Sequence, residues 1–216
     1  MSKGQRKFLE QSVQEIHASD LSLWATLTGQ KSRTPLPRGC KVFLMEIFAG
    51  AAVLTSMAMT MGLPVAAPID IKLDGTAFLD PKVRNEIEAH IDAQDPYCVT
   101  FAPVCGPWGS WSCLNMQRRE STGDAILAQR DAWYPCLKWI EKMVRKWMAR
   151  GRKFVVENPW PSELWSTLCM DKLICEAPHD AESHEPLELV RGDQCEFGLC
   201  DAVNGLPHYT TSRLVS

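Results

Sequence analysis

Four short apolar segments alternate with helical segments along this chain, and each apolar segment ends at a glycine, a proline or an acidic residue. The apolar segments are 41–50, 63–70, 96–103 and 151–159, and the helical ones are 51–62, 80–91 and an apolar stripe at 133, 137, 140, 144 and 147. Parallel neighbouring strands need crossover connections, which this alternation supplies. The pattern therefore predicts an α/β fold with a mostly parallel sheet, helices on both faces in three layers, and the strand ends along one edge.

The composition is that of a globular protein of one domain. Of the 216 residues, 45% are hydrophobic and 23% are charged, which excludes a disordered, collagen-like or coiled-coil chain. No run of about 18 apolar residues occurs, so we expect no membrane-spanning segment, and the first residues lack the apolar core of a secretory signal. The nine cysteines do not suggest a disulfide framework, so we expect an intracellular location, nuclear or cytoplasmic.

Charge is unevenly distributed although the net charge is only −3. Residues 114–153 contain ten Lys or Arg and four acidic residues, whereas residues 154–216 contain three and eleven. The basic block is compatible with a polyanionic partner. A solvated helix face is the more frequent reason for such a block, so charge alone does not decide the partner.

The first two predicted strands end in residues that suit a cofactor site. The first strand leads through EIFAG, residues 46–50, into a helix, and glycine in such a turn lets backbone approach a ligand. Asp70 closes the second strand, at the position where a doubly wound fold has an acid that binds a ribose. An ordinary turn and a solvent-exposed acid are the simpler explanations of the two features.

The third and fourth strands end in candidates for catalysis. Cys105 lies in FAPVCGPWGSWS, residues 101–112, where prolines restrict the loop and a thiolate can act as a nucleophile. Most cysteines are small core residues, and this setting distinguishes Cys105 from the other eight. Glu157 and Asn158 end the fourth strand, and a carboxylate there can exchange a proton or accept a hydrogen bond.

Together these motifs resemble those of the cytosine-5 methyltransferases, a family of class I S-adenosylmethionine-dependent enzymes. EIFAG resembles the first motif of the family, PVC at 103–105 its Pro-Pro-Cys loop, ENP at 157–159 its Glu-Asn-Val motif, and GLPHYTTSRLV at 205–215 the segment that leads into its arginine motif. The resemblance covers residues 42–160 well and the rest thinly, and extends to methyltransferase-like segments of mobile-element polyproteins. It implies a Rossmann-like fold, S-adenosyl-L-methionine as cofactor, and methylation of cytosine C5 in DNA.

The resemblance also implies roles for individual residues. Cys105 would attack the base at C6, Glu157 would bind the base edge, Asn158 would hold the loop or Glu157, and Arg213 or Arg130 would brace the base carbonyl. The implied cofactor-binding residues are Glu46, Phe48, Ala49, Gly50, Asp70, Ile71, Asp80 and Pro103. Nucleic acid, DNA rather than RNA, would be bound by phosphate contacts and base stacking through Arg118, Arg119, Trp108 and Trp111.

The chain is predicted to divide at residue 40. Residues 1–40 are expected to contain a helix over 8–27 and a proline-containing linker, and residues 41–216 are expected to form a methyltransferase-like domain without a separate target-recognition domain. A C-terminal helix completes the cofactor pocket in the family, and the helix of 1–40 is expected to take that place on the cofactor side. A partner protein or a flanking domain would then supply target recognition.

Departures from the family pattern leave alternatives open. Ala51 and Ala52 replace glycines of the first motif, and Val104 replaces the second proline of the nucleophile loop. The missing glycines and the absent target-recognition domain favour a non-catalytic module of a larger polyprotein that binds nucleic acid or protein. An amino-group methyltransferase is a weaker alternative, because its Asn/Asp-Pro-Pro-aromatic motif is missing from the strand before Cys105.

A structural zinc site is a further alternative in the last third of the chain. Its candidate ligands are Cys169, Cys175, His179, His184, Cys195 and Cys200. None of their spacings is the C-x2-C pair typical of structural zinc. We therefore expect no metal.

Overall fold

The computed structural model of the protein describes residues 36–37, 39–50, 52–70, 76–118, 120–175, 189–193 and 211–215. The predicted helix over 8–27, Ile71 and Arg119 lie outside these ranges, as do four of the six candidate zinc ligands. The side chains of Arg118 and Arg213 are likewise outside what is described. Predictions that depend on these residues stay predictions.

The described elements alternate between strands and helices up to the end of the third strand. They are β1 (Val42–Ile47), α1 (Val53–Thr60), α2 (Pro81–Gln94), β2 (Pro96–Phe101), α3 (Ser110–Arg118), α4 (Glu120–Ala149), β3 (Lys153–Pro159), α5 (Leu168–Cys175), β4 (Leu189–Asp193) and β5 (Thr211–Val215). Short 3-10 turns occupy Thr76–Leu79, Gly106–Trp108 and Glu163–Ser166.

The strands form one sheet in the order β1-β2-β3-β5-β4. β1, β2 and β3 are parallel, which confirms the α/β class with parallel strands and helical crossovers. β5 runs antiparallel to both β3 and β4. This antiparallel edge was not predicted, because β4 and β5 lie in a part of the sequence with no clear alternation.

The segment 63–70 lies beside β1 but is not a regular strand. It makes two isolated parallel bridges to β1, at Val65 and Ile69. Pro64 and Pro68 have no N–H to donate, so a continuous ladder cannot form there. The predicted strand therefore has the correct position beside β1, but the segment is not a regular strand because its ladder is interrupted.

The core lies between one face of the sheet and the long helix α4. All five residues of the predicted apolar stripe, Trp133, Leu137, Ile140, Val144 and Trp147, are buried in it. They pack against alternate residues of the parallel strands, as the strand period of two requires. Pro135 lies inside α4 and not in its first turn; it is on the exposed side, where the hydrogen bond that proline removes is lost outside the core.

On the other face of the sheet, α1 packs against β1. β1 directs Met45 and Ile47 into the core around α4, so Leu44 and Glu46 point to the opposite face, where Glu46 contacts α1. Helices therefore lie on both faces. α1 also presents exposed apolar side chains, with Met61 beside its last turn 72% exposed.

Ion pairs with α2 involve three of the ten basic residues in 114–153. Lys142 and Lys146 pair with Glu88 at 2.8 and 3.0 Å, and Lys146 and Arg150 pair with Asp92 at 2.5 and 3.0 Å. These basic side chains connect the end of α4 to α2 and neutralise Glu88 and Asp92. In the described ranges, no helix combines the length and hydrophobicity needed to cross a membrane.

Candidate functional site

The carboxyl ends of β1 and β2 lie side by side at the point where the order of the strands in the sheet changes direction. The chain leaves β1 for the segment 63–70 on one side and returns to place β2 on the other side. The N–H of Ala102 donates to the carbonyl of Ile47 at 3.2 Å, so the two strand ends remain adjacent. Such reversals leave a crevice outside the strand ends, which is where open α/β sheets bind ligands.

The turn from β1 to α1 has an unusual backbone. Phe48, Gly50 and Ala52 have φ angles of 63°, 53° and 51°, a conformation that costs a bulky residue about 1–3 kcal/mol. The buried Phe48 ring packs on Phe78 with a centroid distance of 4.0 Å, and its N–H donates to the carbonyl of Ile69 at 2.8 Å. A Cβ at Gly50 would meet nothing within 4 Å, so this glycine is needed for its φ angle and leaves an open surface.

Glu46 caps helix α1 from the neighbouring strand. Its Oε2 accepts the N–H of Thr55 at 2.5 Å, and the carboxylate is buried. The residue at the N-cap, Ala52, has no side-chain acceptor, so Glu46 provides what an N-cap side chain normally would. The Oγ1 of Thr55 is buried without a hydrogen-bond partner.

The other two acids assigned to the cofactor site differ in their surroundings. Asp70 is half-buried at the end of the segment beside β1, next to Ile69. Asp80 is the N-cap of α2, and its Oδ1 accepts the N–H of Lys82 at 2.8 Å. In the sequence, an aspartate directly before Pro81 is the pattern of a helix start, and the structure shows this cap, which occupies one carboxylate oxygen of Asp80.

The loop after β2 presents Cys105 to solvent while its flanks are fixed. Cys105 is exposed, and its carbonyl accepts the N–H groups of Trp108 and Gly109 at 3.0 and 2.9 Å. Two other thiols make a contrast, since burial raises the pKa of Cys98 to about 11 and that of Cys136 to about 12. Of these three thiols, Cys105 is exposed, Cys98 is half-buried and Cys136 is buried.

Two side chains hold the carbonyl groups on either side of Cys105. The Nδ2 of Asn158, at the end of β3, donates to the carbonyl of Pro103 at 2.8 Å. The Nε of Arg130, in α4, donates to the carbonyl of Pro107 at 2.8 Å. The cysteine thus lies between two anchored carbonyls.

Glu157 and Asn158 face opposite sides of the sheet. Asn158 is buried, and its Oδ1 has no hydrogen-bond partner. Glu157 is half-buried and, by the register of β1, β2 and β3, shares the face of Glu46 and Thr100. The backbone register pairs Asn158 with Arg213 of β5, so the predicted arginine lies on the strand next to the Glu-Asn pair.

A cluster behind the Cys105 loop was not predicted. The Arg130 guanidinium lies 5.1 Å from the centre of the Trp108 ring, and its Nη2 is 2.5 Å from Oε2 of Glu163, a close ion pair that is not aligned as a hydrogen bond. A hydrogen bond with Cys113 lowers the pKa of Glu163, with a further contribution from Arg130, and it raises the pKa of Cys113. No motif or spacing in the sequence marks Glu163 or Cys113.

The two tryptophans assigned to nucleic-acid binding have different environments. Trp108 is 5% exposed and packs in the core, whereas Trp111 is 77% exposed. Burial explains Trp108 as a packing residue of the loop. The ring of Trp111 is accessible for stacking on a base.

Cys169 packs in the hydrophobic core. The described residues contain no group of three or more His, Cys, Asp or Glu that could hold a metal ion.

The comparisons with protein-family models and with curated proteins find no match for this chain.

Proposed function

We propose that this chain is a class I, Rossmann-like methyltransferase that uses S-adenosyl-L-methionine to methylate cytosine C5 in DNA, with Cys105 as the nucleophile. The observation that carries the proposal is that two unusual loops lie side by side at the carboxyl ends of β1 and β2, where the order of the strands changes direction. One is the turn with positive φ angles after β1, and the other is the anchored, exposed Cys105 loop after β2. An α/β sheet with three parallel strands supports this class of fold.

The β1–α1 turn and Asp70 would hold the cofactor, which supplies the methyl group. The open surface at Gly50 gives room for a ligand against the backbone. The buried, unpartnered Oγ1 of Thr55 offers a polar group at the same end of the sheet, and buried hydroxyls are rarely left without a partner. Glu46 would act there mainly by holding the first turn of α1 in place.

Cys105 and Glu157 would perform the chemistry on the base. The Cys105 thiolate forms a bond to C6, and the electrons of the C5–C6 double bond shift to C5, which becomes nucleophilic. Glu157 hydrogen-bonds the base edge and stabilises the charge that develops there. After methylation, water takes the C5 proton, and the electrons of that C–H bond re-form the C5–C6 double bond and expel the Cys105 thiolate. The target base must leave the duplex for Cys105 to reach C6.

Two measurements test the proposal. Calorimetry with S-adenosyl-L-methionine and with S-adenosyl-L-homocysteine should give micromolar binding, about −8 kcal/mol, that is weakened by Asp70→Ala. A duplex containing 5-fluorocytosine should then form a covalent complex with the protein in the presence of cofactor, and Cys105→Ala should form none. Cys98→Ala is the matched control, since that thiol is half-buried and burial raises its pKa. Absence of both binding and trapping would contradict the proposal.

A non-catalytic module that binds a protein is the second candidate. Exposed apolar side chains on α1, Val53, Leu54 and Met57, favour a protein contact. The ion pairing of α4 with α2 leaves fewer basic side chains for phosphate. Cofactor binding distinguishes the two candidates, because a non-catalytic module has no need of it.

A further inference from the structure

We propose that Arg130 is the positioning residue of the Cys105 loop and acts by holding the loop backbone, not by contributing its charge to the substrate. The inference deepens the proposed function, since the importance of the loop rests on Cys105 being the nucleophile. The resemblance left Arg130 as one of two candidates for a contact with the base. Its contacts point to a different task.

The guanidinium of Arg130 is committed to three groups of the protein. Its Nε donates to the Pro107 carbonyl at 2.8 Å, and its Nη2 lies 2.5 Å from Glu163. Its Cζ lies 5.1 Å from the centre of the buried Trp108 ring. Its side chain is only 15% exposed, so little of it is left to reach a ligand.

The contacts of Arg130 fall directly after the nucleophile. Pro107 and Trp108 follow Cys105 within the short 3-10 turn, and the N–H of Trp108 bonds back to the carbonyl of Cys105 at 3.0 Å. Holding Pro107 and Trp108 therefore holds the turn that begins at Cys105. Before the cysteine, the Nδ2 of Asn158 donates to the carbonyl oxygen of Pro103 at 2.8 Å. The loop that carries the nucleophile is therefore anchored by residues of both α4 and β3.

Arginine is suited to this task and lysine is not. The planar guanidinium donates along one edge to a carbonyl, presents another nitrogen to a carboxylate and stacks its face on an aromatic ring. An ammonium group is a single point charge and cannot satisfy all three contacts from one position. Arg130→Lys therefore retains the charge and loses the geometry.

The test compares Arg130→Lys and Arg130→Gln with the wild-type chain, with Arg145→Gln as the matched control. Arg145 is on the same helix and pairs with Glu141 of that helix, so its substitution removes the same charge elsewhere. Hydrogen exchange followed by mass spectrometry reports on the loop without requiring any activity. Steady-state methylation of a cytosine duplex, measured over a range of cofactor concentrations, gives kcat and the KM for the cofactor.

We expect exchange across residues 105–109 to be about tenfold faster in both Arg130 variants, with the core of α4 and β2 unchanged. We expect kcat to fall about tenfold or more, with the KM for S-adenosyl-L-methionine within about twofold of wild type. Arg145→Gln should match the wild type in every readout. Glu163→Gln should shift exchange in the same direction and serves as the second variant if Arg130→Gln does not fold.

Three outcomes would overturn the inference. They are unchanged exchange in the loop of Arg130→Gln, full rescue of kcat by Arg130→Lys, and a change in cofactor KM without a change in kcat. If the wild-type protein methylates no cytosine, the proposed function is rejected. If amide exchange in the loop is nevertheless faster in the Arg130 variants, the positioning role of Arg130 still holds.

Discussion

Replacing Glu46 with alanine would remove the group that caps helix α1. The carboxylate comes from β1 and accepts the N–H of Thr55 in the first turn of the helix at 2.5 Å. No side chain at Ala52 can replace it. Glu46→Gln keeps an acceptor oxygen at nearly the same place and removes only the charge. The two variants therefore separate the hydrogen bond from the electrostatic contribution.

The expected loss of stability follows from the burial of this contact. A hydrogen bond to a charged group contributes about 1.5–3 kcal/mol, and an anion near a helix N-terminus contributes about 0.3–1 kcal/mol. Glu46 is 5% exposed, so alanine also relieves part of the cost of burying the carboxylate. We expect Glu46→Ala to lower the free energy of unfolding by about 2 kcal/mol, and Glu46→Gln by about 1 kcal/mol or less.

Urea denaturation followed by circular dichroism measures both values, with the slope of the transition checked for constancy. In a thermal scan, the alanine variant should unfold about 4–8 °C below the wild type, given the length of the chain. Glu86→Ala is the matched control, because that glutamate is exposed on α2. A change below about 0.5 kcal/mol in Glu46→Ala would refute the capping role, and equal losses in both Glu46 variants would refute the hydrogen bond as its main contribution.

Three further results are expected. Thr55→Val removes a buried hydroxyl without a partner and should raise the free energy of unfolding by about 1 kcal/mol, whereas a loss would reveal a partner for that hydroxyl. Burial alone would raise the pKa of Glu88, but hydrogen bonds from Lys142 and Lys146 outweigh it and lower that pKa. The ionised carboxylate therefore stabilises the fold at neutral pH, and this contribution should be lost as the pH falls below about 4.5 through the lowered pKa. Unfolding measured against pH should show a smaller loss in Glu88→Gln. Trp111→Ala should leave stability within about 0.5 kcal/mol, because the ring is exposed, and should weaken single-stranded DNA binding about tenfold in a fluorescence anisotropy titration.

The sequence predicted those elements whose signals are local. Apolar runs predict β1, β2 and β3, and the apolar stripe from Trp133 to Trp147 predicts the buried side of α4. Asp80 before a proline gives the start of α2. The bounds of α4 were less predictable, because burial of its apolar face stabilises a helix that continues through Pro135.

The candidate site could be predicted only in part from the same signals. The sequence shows polar or flexible residues at the strand ends, namely Gly50, Cys105 and Glu157. Parallel strands bring their carboxyl ends to one edge of the sheet, independently of the loop conformations. The partners of these residues gave no such signal. Arg130 belongs to a basic block like any other, and Glu163 follows a proline-rich turn with no motif around it.

The sequence by itself determined the order of strands and helices and the positions of residues at the strand ends, because apolar periodicity and glycine or proline turns act over a few neighbouring residues. Only the tertiary structure decided what each polar side chain contacts. Arg130 meets Pro107 across 23 positions of the chain, and Asn158 meets Pro103 across 55. Such contacts depend on strand register and on the face to which each side chain points, and packing of the whole core fixes both.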